Sequence, residues 1–362
     1  MSVSTAHRID RVRARLEELG LDALLVTTPS NRRWVSGFTG TAGVVLVSRD
    51  RALLATDARY FEQVGTQATD CTLLRANGPM SEWVPLLLEG LGGKQIGYEP
   101  SHLTVAAYEE WIQSVAALPE SARPHLAPAP HAIEALRALK EPDELDALTR
   151  AVLLGDAACE HAASVAQPGM TERALAWEIQ RYAMEHGAEA LSFPTIIAGG
   201  AWGALPHAYP RDVPLEAGRG VVMDLGVVVD GYCSDLTRTI FLGEPYAQFR
   251  RVYDVVLTAQ MMAEERIESG MTGEQAHEIA MTVIAEAGYR EHFGHGLGHG
   301  VGLDIHEAPR LGPRSTDVLA DGQVVTVEPG IYIAGWGGVR IEDQCVIEGG
   351  RIRRLSTASK LN

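Results

Sequence analysis

Hydrophobic and polar positions in the first third of the chain follow the periods of helices and strands in turn. Residues 1–19 place apolar side chains at helical spacing among charged ones, which predicts an amphipathic helix. Strands are predicted for the short apolar runs at 21–28, 43–48, 51–56 and 94–99, and helices for 80–91 and 103–118. This mixture predicts a three-layer α/β domain over residues 1–128.

A change in composition marks the predicted end of that domain. Residues 119–131 are rich in proline and alanine, which is typical of a linker. Beyond it, Pro142 stands where a long helix would begin, with Asp143 and Glu144 in its first turn, where the helix dipole favours acids. Because 362 residues exceed what one compact core usually holds, a second domain is predicted over 132–362.

The second domain contains an internal repeat. LEAGRGVVMDLG at 215–226 aligns without a gap on LADGQVVTVEPG at 319–330. Two further matches keep the same order, namely 168–187 on 269–288, and HAYPR at 207–211 on HEAPR at 306–310. Each copy therefore reads as a helix, an H-x-x-P-R segment and a strand that ends in acid-x-Gly. We predict a duplicated, pseudo-two-fold domain whose acids meet where its halves face each other.

Each copy of the repeat supplies two isolated carboxylates. They are Asp224 and Asp235 in the first copy, and Glu328 and Glu342 in the second. An unpaired carboxylate in a buried strand is costly, whereas one that binds a cation is not. Between the copies, the run GHGLGHGVGLDIHEAP supplies His299. One imidazole and four carboxylates suit two divalent cations held side by side.

The glycine-rich run has a second interpretation, as a dinucleotide-binding loop. No register of it fits G-x-G-x-x-G, because the third glycine would fall on His299, Val301 or Leu303.

Two cations can instead lower the pKa of a shared water and polarise a carbonyl, while a carboxylate accepts the proton. Imidazoles can stabilise the oxyanion that develops, and His207 and His306 of the H-x-x-P-R segments suit that role. The pattern points to metal-assisted hydrolysis of an amide.

Composition and charge exclude several other classes of protein. The net charge of −16 argues against nucleic acid or an anionic membrane as a partner, because both need a basic face. No apolar run reaches the ~18 residues of a membrane-spanning helix. The four cysteines show no C-x-x-C pairing, so neither a zinc knuckle nor a disulfide framework is indicated. The first residues lack the apolar core of a signal peptide, so we expect a cytoplasmic protein.

Several of these motifs resemble one known family. DLG…GYCSDLTRT, GHGLGHGVGLDIHEAP, TVEPGIY and GVRIED are similar to motifs of the metallopeptidases with the pita-bread fold, in the branch of prolidase and aminopeptidase P. SGFTGTAG and TDARYFEQ resemble the creatinase-type N-terminal domain of that branch. The resemblance covers nearly the whole chain. It implies an α/β N-terminal domain followed by an α+β pita-bread catalytic domain with pseudo-two-fold internal duplication.

The resemblance also implies roles for individual residues. The dinuclear metal ligands would be Asp224, Asp235, His299, Glu328 and Glu342. Asp235 and Glu342 would bridge both metals, Glu328 would act as the base, and His207 and His306 would stabilise the substrate and the intermediate. His295 and Arg340 match positions that line the site or support it. Members of the family use Mn, Co or Zn, and most form dimers; Mn and a homodimer are our expectations here.

The predicted activity is hydrolysis of the Xaa-Pro peptide bond, with an Xaa-Pro dipeptidase favoured over an aminopeptidase that acts on longer peptides. The two differ in whether a cation captures the substrate's C-terminal carboxylate, for which Arg59, Arg211 and Arg340 are candidates. Creatinase-like chemistry works without metals, and a plain methionine aminopeptidase lacks the N-terminal domain. A peptide-binding module that had lost catalysis would show replaced ligands, and all five are retained.

Overall fold

The computed structural model describes residues 5–360 and divides the chain into two compact units, one up to Arg137 and one from Ala138 onward. The first predicted helix is present from Ala6 to Leu19, and residues 1–4 of that prediction lie outside the described residues. Of the four apolar side chains that the helical spacing placed on one face, Ile9, Val12 and Leu16 are buried, whereas Leu19, at the end of the helix, is exposed.

The first unit alternates short helices and strands. Its helices are α1 (Ala6–Leu19), α2 (Pro29–Ser36), α3 (Phe61–Gln67), α4 (Met80–Leu87), α5 (Val105–Ala116) and α6 (Glu134–Arg137). Its strands are β1 (Ala23–Val26), β2 (Val44–Ser48), β3 (Ala52–Thr56), β4 (Thr72–Arg75), β5 (Gln95–Tyr98) and β6 (His125–Pro128). They form one mixed sheet in the order β4-β3-β2-β1-β5-β6. The predicted α/β domain is therefore confirmed, with β2 and β3 as an antiparallel pair.

The linker prediction for residues 119–131 is wrong. Residues His125–Pro128 form β6, which pairs in parallel with β5 at the edge of the sheet. Pro128 ends this strand, and proline is tolerated at an edge because the outer side of the strand needs no N–H donor. The proline content that looked like a linker is thus compatible with an edge strand.

The second unit contains longer helices and several small sheets. Its helices are α7 (Pro142–Val165), α8 (Glu172–Glu185), α9 (Ala247–Arg266) and α10 (Gly273–Glu286). Its strands are β7 (Ala190–Leu191), β8 (Ile196–Gly199), β9 (Gly220–Leu225), β10 (Val227–Val229), β11 (Tyr232–Cys233), β12 (Leu236–Phe241), β13 (Gly298–Gly300), β14 (Glu307–Leu311), β15 (Val324–Val327), β16 (Gly330–Ile333), β17 (Gly337–Arg340), β18 (Asp343–Glu348) and β19 (Arg351–Arg354). Helix α7 begins at Pro142, as predicted.

The two halves of this unit repeat one arrangement. In the first half β9 is the central strand of the order β12-β9-β8, and in the second half β15 is central in the matching order β18-β15-β13. All of these pairings are antiparallel. The repeated Gly-Met-Thr caps a 14-residue helix in each half, since the hydroxyls of Thr171 and Thr272 accept from backbone N–H groups of α8 and α10. The predicted duplication is confirmed.

The helices bury the outer faces of these sheets. Apolar side chains of α7 and α8 pack with those of β9 and β12, and apolar side chains of α9 and α10 pack with those of β15 and β18. The central strands are buried on both faces, which explains the continuous β-branched runs in the sequence. Side chains at the ends of these strands consequently start from rigid positions.

The half-buried acid Glu264 predicts a dependence of stability on pH. Burial and the facing Asp343 raise the pKa of Glu264, on α9, to about 7, against the opposing effect of Lys360 and Arg354. The folded protein therefore binds this proton more tightly than the unfolded chain does. The contribution of Glu264 to the free energy of unfolding is full below pH 4.5 and is lost as the pH rises through 7. We expect Glu264→Gln to be stabilised by roughly 1 kcal/mol or more at pH 8 but little at pH 5, measured by urea denaturation of the metal-free protein. An equal change at both pH values would contradict this assignment.

Candidate active site

The duplicated strands bring the candidate carboxylates to equivalent places. In the first half Asp224 lies on β9 and Asp235 directly precedes β12. In the second half Glu328 directly follows β15 and Glu342 directly precedes β18. The Glu342 N–H donates to the Thr237 carbonyl over 3.1 Å, which joins the halves between the acids. All four acids therefore lie on a paired strand or are the first residue beyond one.

The predicted ligands surround one space. One carboxylate oxygen from each of Asp224, Asp235 and Glu342 lies within 4.8 Å of the other two. His299, on β13, places Nε2 3.5 Å from an oxygen of Asp235 and 3.4 Å from an oxygen of Glu328. All five residues line a cavity of about 550 Å³. The structure thus brings together the whole set of residues that the sequence singled out as ligands.

The imidazole of His299 is oriented for binding a cation. Its Nδ1 lies 3.0 Å from the carbonyl oxygen of Gly300, and because a carbonyl only accepts, Nδ1 carries the proton. The lone pair of Nε2 then faces Asp235 and Glu328. Burial lowers the pKa of His299, which keeps the ring neutral. A backbone carbonyl that fixes the tautomer in this way is the usual support of a metal-binding histidine.

The four carboxylates lie close together, and little positive charge nearby offsets their negative charge. Burial, followed by the charges of Glu342 and Asp224, raises the pKa of Asp235 well above its ordinary value. Burial and the facing acids likewise raise the pKa of Glu342, and burial raises that of Glu328 to about 7. Arg340 is the basic group in contact with this cluster, with Nη2 donating to Asp224 Oδ2 over 2.5 Å. One guanidinium does not balance four carboxylates, of which three are buried and that of Glu328 is half-buried.

This donor set fits divalent cations. Asp224 Oδ1 is buried and has no hydrogen-bond partner among the described residues, although its other oxygen is paired with Arg340. A buried carboxylate oxygen is rarely left unsatisfied, because its desolvation is then uncompensated. Oxygen ligands with one imidazole suit hard or borderline divalent ions. The orphaned oxygen and the excess of negative charge therefore both point to bound cations.

Two threonines hold the acids in place, and sequence reasoning missed both. Thr237 Oγ1 accepts from Arg340 Nε over 3.0 Å and donates to Glu342 Oε2 over 2.7 Å. Thr326 Oγ1 accepts from the His299 N–H over 3.1 Å and donates to Glu328 Oε1 over 3.0 Å. Thr237 lies two residues after Asp235 and Thr326 two residues before Glu328. Side chains two apart on a strand share a face, and this spacing was the available signal.

A second set of residues supports the site beside Asp224. Arg340 Nη1 donates to the Tyr332 hydroxyl over 2.7 Å, and that hydroxyl lies 2.9 Å from His295 Nε2. His295 Nδ1 donates to the Gly296 carbonyl over 2.7 Å, so Nε2 accepts from Tyr332. Burial, reinforced by Arg340, lowers the pKa of His295 to about 4, so the ring is neutral. His295 and Arg340 line the cavity, while Tyr332 was not foreseen because no spacing connects it to them.

The matched histidines of the H-x-x-P-R segments lie at the open side of the cavity. His207 follows β8, His306 precedes β14, and both side chains line the cavity and are solvent-exposed. The ring of His306 packs edge-on against that of His299, with 4.4 Å between ring centres. The two histidines therefore face the space in front of the ligands, from opposite halves of the duplicated fold.

Comparison with known proteins places both parts of the chain in described families. Residues 146–349 match the model of metallopeptidase family M24, and residues 8–139 match that of the creatinase/prolidase N-terminal domain. No helix within residues 5–360 is long and apolar enough to cross a membrane.

Individual relatives extend over the full chain. An Xaa-Pro dipeptidase of Pyrococcus horikoshii is 33% identical over 359 residues, which covers 98% of this chain and 97% of the relative. The solved Xaa-Pro dipeptidase of Bacillus anthracis has a TM-score of 0.94 and 38% identity, with 99% of both chains covered. The X-Pro aminopeptidase of Thermotoga maritima has a TM-score of 0.89 and 30% identity, with 98% of this chain and 99% of that chain covered. With a two-domain fold and a complete set of candidate ligands, the chain belongs to metallopeptidase family M24.

Proposed function

We propose that this protein is a metal-dependent hydrolase of the Xaa-Pro peptide bond, and specifically an Xaa-Pro dipeptidase. Membership of the M24 family and full-length similarity to Xaa-Pro dipeptidases support the reaction class. The cluster of acids around one cavity supports the dependence on metal. An arginine in that cavity, which has no acidic partner among residues 5–360, supports the preference for dipeptides.

The metal ligands in this proposal are Asp224, Asp235, His299, Glu328 and Glu342, with Asp235 and Glu342 bridging two divalent cations. Manganese is the proposed ion, with cobalt or zinc as alternatives, because the set is rich in oxygen and contains one imidazole. Bound cations would lower the pKa of a water and polarise the scissile carbonyl. The other steps fall to the side chains of the protein itself.

Glu328 is the proposed proton acceptor. Thr326 donates to one of its oxygens, which leaves the other oxygen to receive a proton. In the absence of cations, burial raises the pKa of Glu328 to about 7, so its carboxylate has a high affinity for a proton. His207 and His306 face the same cavity and can donate to the carbonyl oxygen as negative charge develops there.

Arg310 is the proposed anchor of the substrate's carboxylate. It lines the cavity on β14, it is exposed, and no acid among the described residues lies within ion-pair distance of its side chain. A free guanidinium matches the two oxygens of a carboxylate in a bidentate pair. A cation at this place would favour a substrate that ends directly after proline.

The internal repeat explains why the part of the chain that the structure describes offers Arg310 no acidic partner. Its counterpart Arg211 makes a bidentate pair with the buried Glu172, through Nε over 2.9 Å and Nη2 over 2.7 Å. The residue that corresponds to Glu172 in the second half is Gly273. A Cβ there would overlap the Arg310 carbonyl oxygen, so the close approach of β14 leaves no room for an acid.

The three arginines suggested by the sequence are already engaged. All three guanidinium nitrogens of Arg340 donate within the site, to Thr237, Tyr332 and Asp224. Arg211 is paired with Glu172, and Arg59, in the first unit, is paired with Asp57 through two hydrogen bonds of 2.9 Å. These three guanidinium groups are already hydrogen-bonded within the protein, which favours Arg310 as the group that binds the C-terminal carboxylate of the substrate.

Arg310→Met is expected to raise KM for Met-Pro by about 10- to 100-fold, with a smaller effect on kcat, because a charge-assisted pair contributes about 1.5–3 kcal/mol. Steady-state kinetics with saturating manganese measures this. The matched control is Arg353→Met, an exposed arginine on β19.

The alternative, an aminopeptidase, predicts a different result from the same variants. The similarity to the T. maritima X-Pro aminopeptidase makes it the proper comparison. If the unchanged protein cleaves Met-Pro-Ala as well as Met-Pro, and Arg310→Met alters neither, the dipeptidase proposal fails. Manganese-dependent cleavage of neither peptide would remove the peptidase proposal altogether.

A homodimer and a cytoplasmic location complete the proposal, on the basis of the family resemblance. Sedimentation of the purified protein at micromolar concentration tests the first, and a mass close to the 39.0 kDa of one chain would contradict it.

A further inference from the structure

We propose that residues 355–360, here called the strap, position the two acids assigned as bridging ligands. The inference rests on the proposed metal-binding function. The strap follows β19 and contacts residues at the start of β18, next to Glu342. None of the strap residues is among those that line the cavity, so its action on the site has to be indirect.

The first connection runs through Gln344. Its N–H donates to Ser356 Oγ over 2.9 Å, and its carbonyl accepts from the N–H of Leu355 over 2.9 Å. Its side-chain Oε1 accepts from the Asp235 N–H over 3.0 Å. Gln344 is fully buried, and its Nε2 has no hydrogen-bond partner among the described residues. A buried side-chain amide with an unsatisfied N–H donor is unusual. For Gln344 it is explained if the amide oxygen is needed to hold the backbone of Asp235.

The second connection runs through Arg238, which is buried on β12. Its Nη1 donates to the carbonyl of Glu342 over 2.5 Å. Its Nη2 donates to the carbonyl of Ala358 over 2.8 Å, and its Nε to the carbonyl of Ser359 over 3.1 Å. One rigid guanidinium thus ties two residues of the strap to the backbone of a proposed ligand.

The third connection fixes the far end of the strap. Lys360 Nζ lies 2.7 Å from Asp343 Oδ2 and donates to Gln260 Oε1 over 2.7 Å. Asp343 is fully buried, follows Glu342 directly, and also accepts from Arg238 Nη2 over 2.7 Å. The negative charge of Asp343 is therefore balanced partly from the body of the domain and partly from the strap.

These contacts converge on the two residues that must be placed most accurately. The strap holds Asp235 through Gln344. It holds Glu342 through Arg238 and through Asp343, the residue that follows Glu342. A bridging carboxylate has to satisfy two cations at once, so a small displacement weakens both contacts. Groups that orient metal ligands typically contribute 10- to 100-fold in metal affinity. We therefore assign Ser356 and Lys360 as positioning residues.

The test uses Ser356→Ala and Lys360→Ala in the full chain, with Lys360→Arg as the conservative variant. Ser356→Ala removes the acceptor of the Gln344 N–H, and Lys360→Ala removes the cation that the strap supplies to Asp343 while Arg238 keeps its own pair with that acid. Manganese affinity of the metal-free protein is measured by competition with a fluorescent chelating indicator, alongside thermal unfolding and Met-Pro kinetics. The matched control is Arg353→Ala, which breaks an exposed ion pair on the neighbouring strand.

We expect both alanine variants to bind manganese about 10-fold or more weakly. Activity should fall at limiting manganese and recover in excess manganese, with KM for Met-Pro unchanged, and Lys360→Arg should regain most of the affinity. A loss of thermal stability with unchanged manganese affinity would overturn the proposal, because the strap would then be merely structural. A wild-type protein that bound no divalent cation would overturn the proposed function itself, and the strap with it.

Discussion

Glu342→Gln and Asp235→Asn are each expected to remove bound metal and hydrolysis together. A bridging carboxylate offers an oxygen to each of two cations, whereas an amide offers only one. The loss of cations that polarise the substrate is worth several kcal/mol, so kcat/KM should fall by roughly a thousandfold or more. Metal content by elemental analysis and Met-Pro hydrolysis are measured on the same preparations.

The metal-free forms of these variants provide the internal check. Both acids are buried among like charges that raise the pKa of each, so neutral amides should not destabilise the metal-free fold. Glu348→Gln, an exposed acid on the same strand as Gln344, is the control. Two metals per chain at full rate in either Glu342→Gln or Asp235→Asn would refute the ligand assignment.

Glu328→Gln is expected to separate proton transfer from metal binding. The amide keeps one oxygen for a cation but cannot accept a proton, so kcat should fall by about 10²- to 10⁴-fold at saturating manganese. Much of the metal should be retained, in contrast to the bridging-ligand variants. Thr326→Val, which removes the hydroxyl that orients Glu328 but leaves its carboxylate, should have a smaller effect on kcat.

A Glu328→Gln enzyme that kept its metal and stayed within tenfold of the normal kcat would move the role of base to another residue. Complete loss of metal from this variant would show that Glu328 acts chiefly as a ligand. Elemental analysis of the variant distinguishes the two outcomes, and single-turnover hydrolysis with excess manganese measures the chemical step without slow product release.

The fold was predictable where local pattern and long-range repetition agreed. The aligned strands that contain Asp224 and precede Glu328 are central strands with matching neighbours, as the repeat required. The error at 119–131 arose because proline marks both linkers and edge strands. Local composition alone does not distinguish a segment that pairs with β5 from one that pairs with nothing.

The five candidate ligands were predictable because chemistry restricts them to few residue types in special places. The supporting residues were not, because a threonine, a tyrosine or a glutamine has many ordinary roles. Tyr332 reaches His295 across a long sequence separation, and Gln344 acts on Asp235 through a single side-chain oxygen. Arg310 was hidden for another reason, since the repeat matches it with Arg211, and the difference in pairing follows from Gly273 standing where the first half has Glu172.

The difference between Glu172 in the first half and Gly273 in the second has a consequence for the direction in which a substrate would bind. A site built from two similar halves offers nearly the same surroundings to a molecule and to the same molecule turned end for end. A peptide has two different ends, and hydrolysis is productive in only one orientation. Glu172 pairs with Arg211 in one half, whereas Gly273 leaves no room for an acid beside Arg310 in the other, so the two halves would present different charges to a bound peptide. If Arg310 binds the carboxylate of the substrate as proposed, this difference between the halves would determine which end of the peptide enters each half.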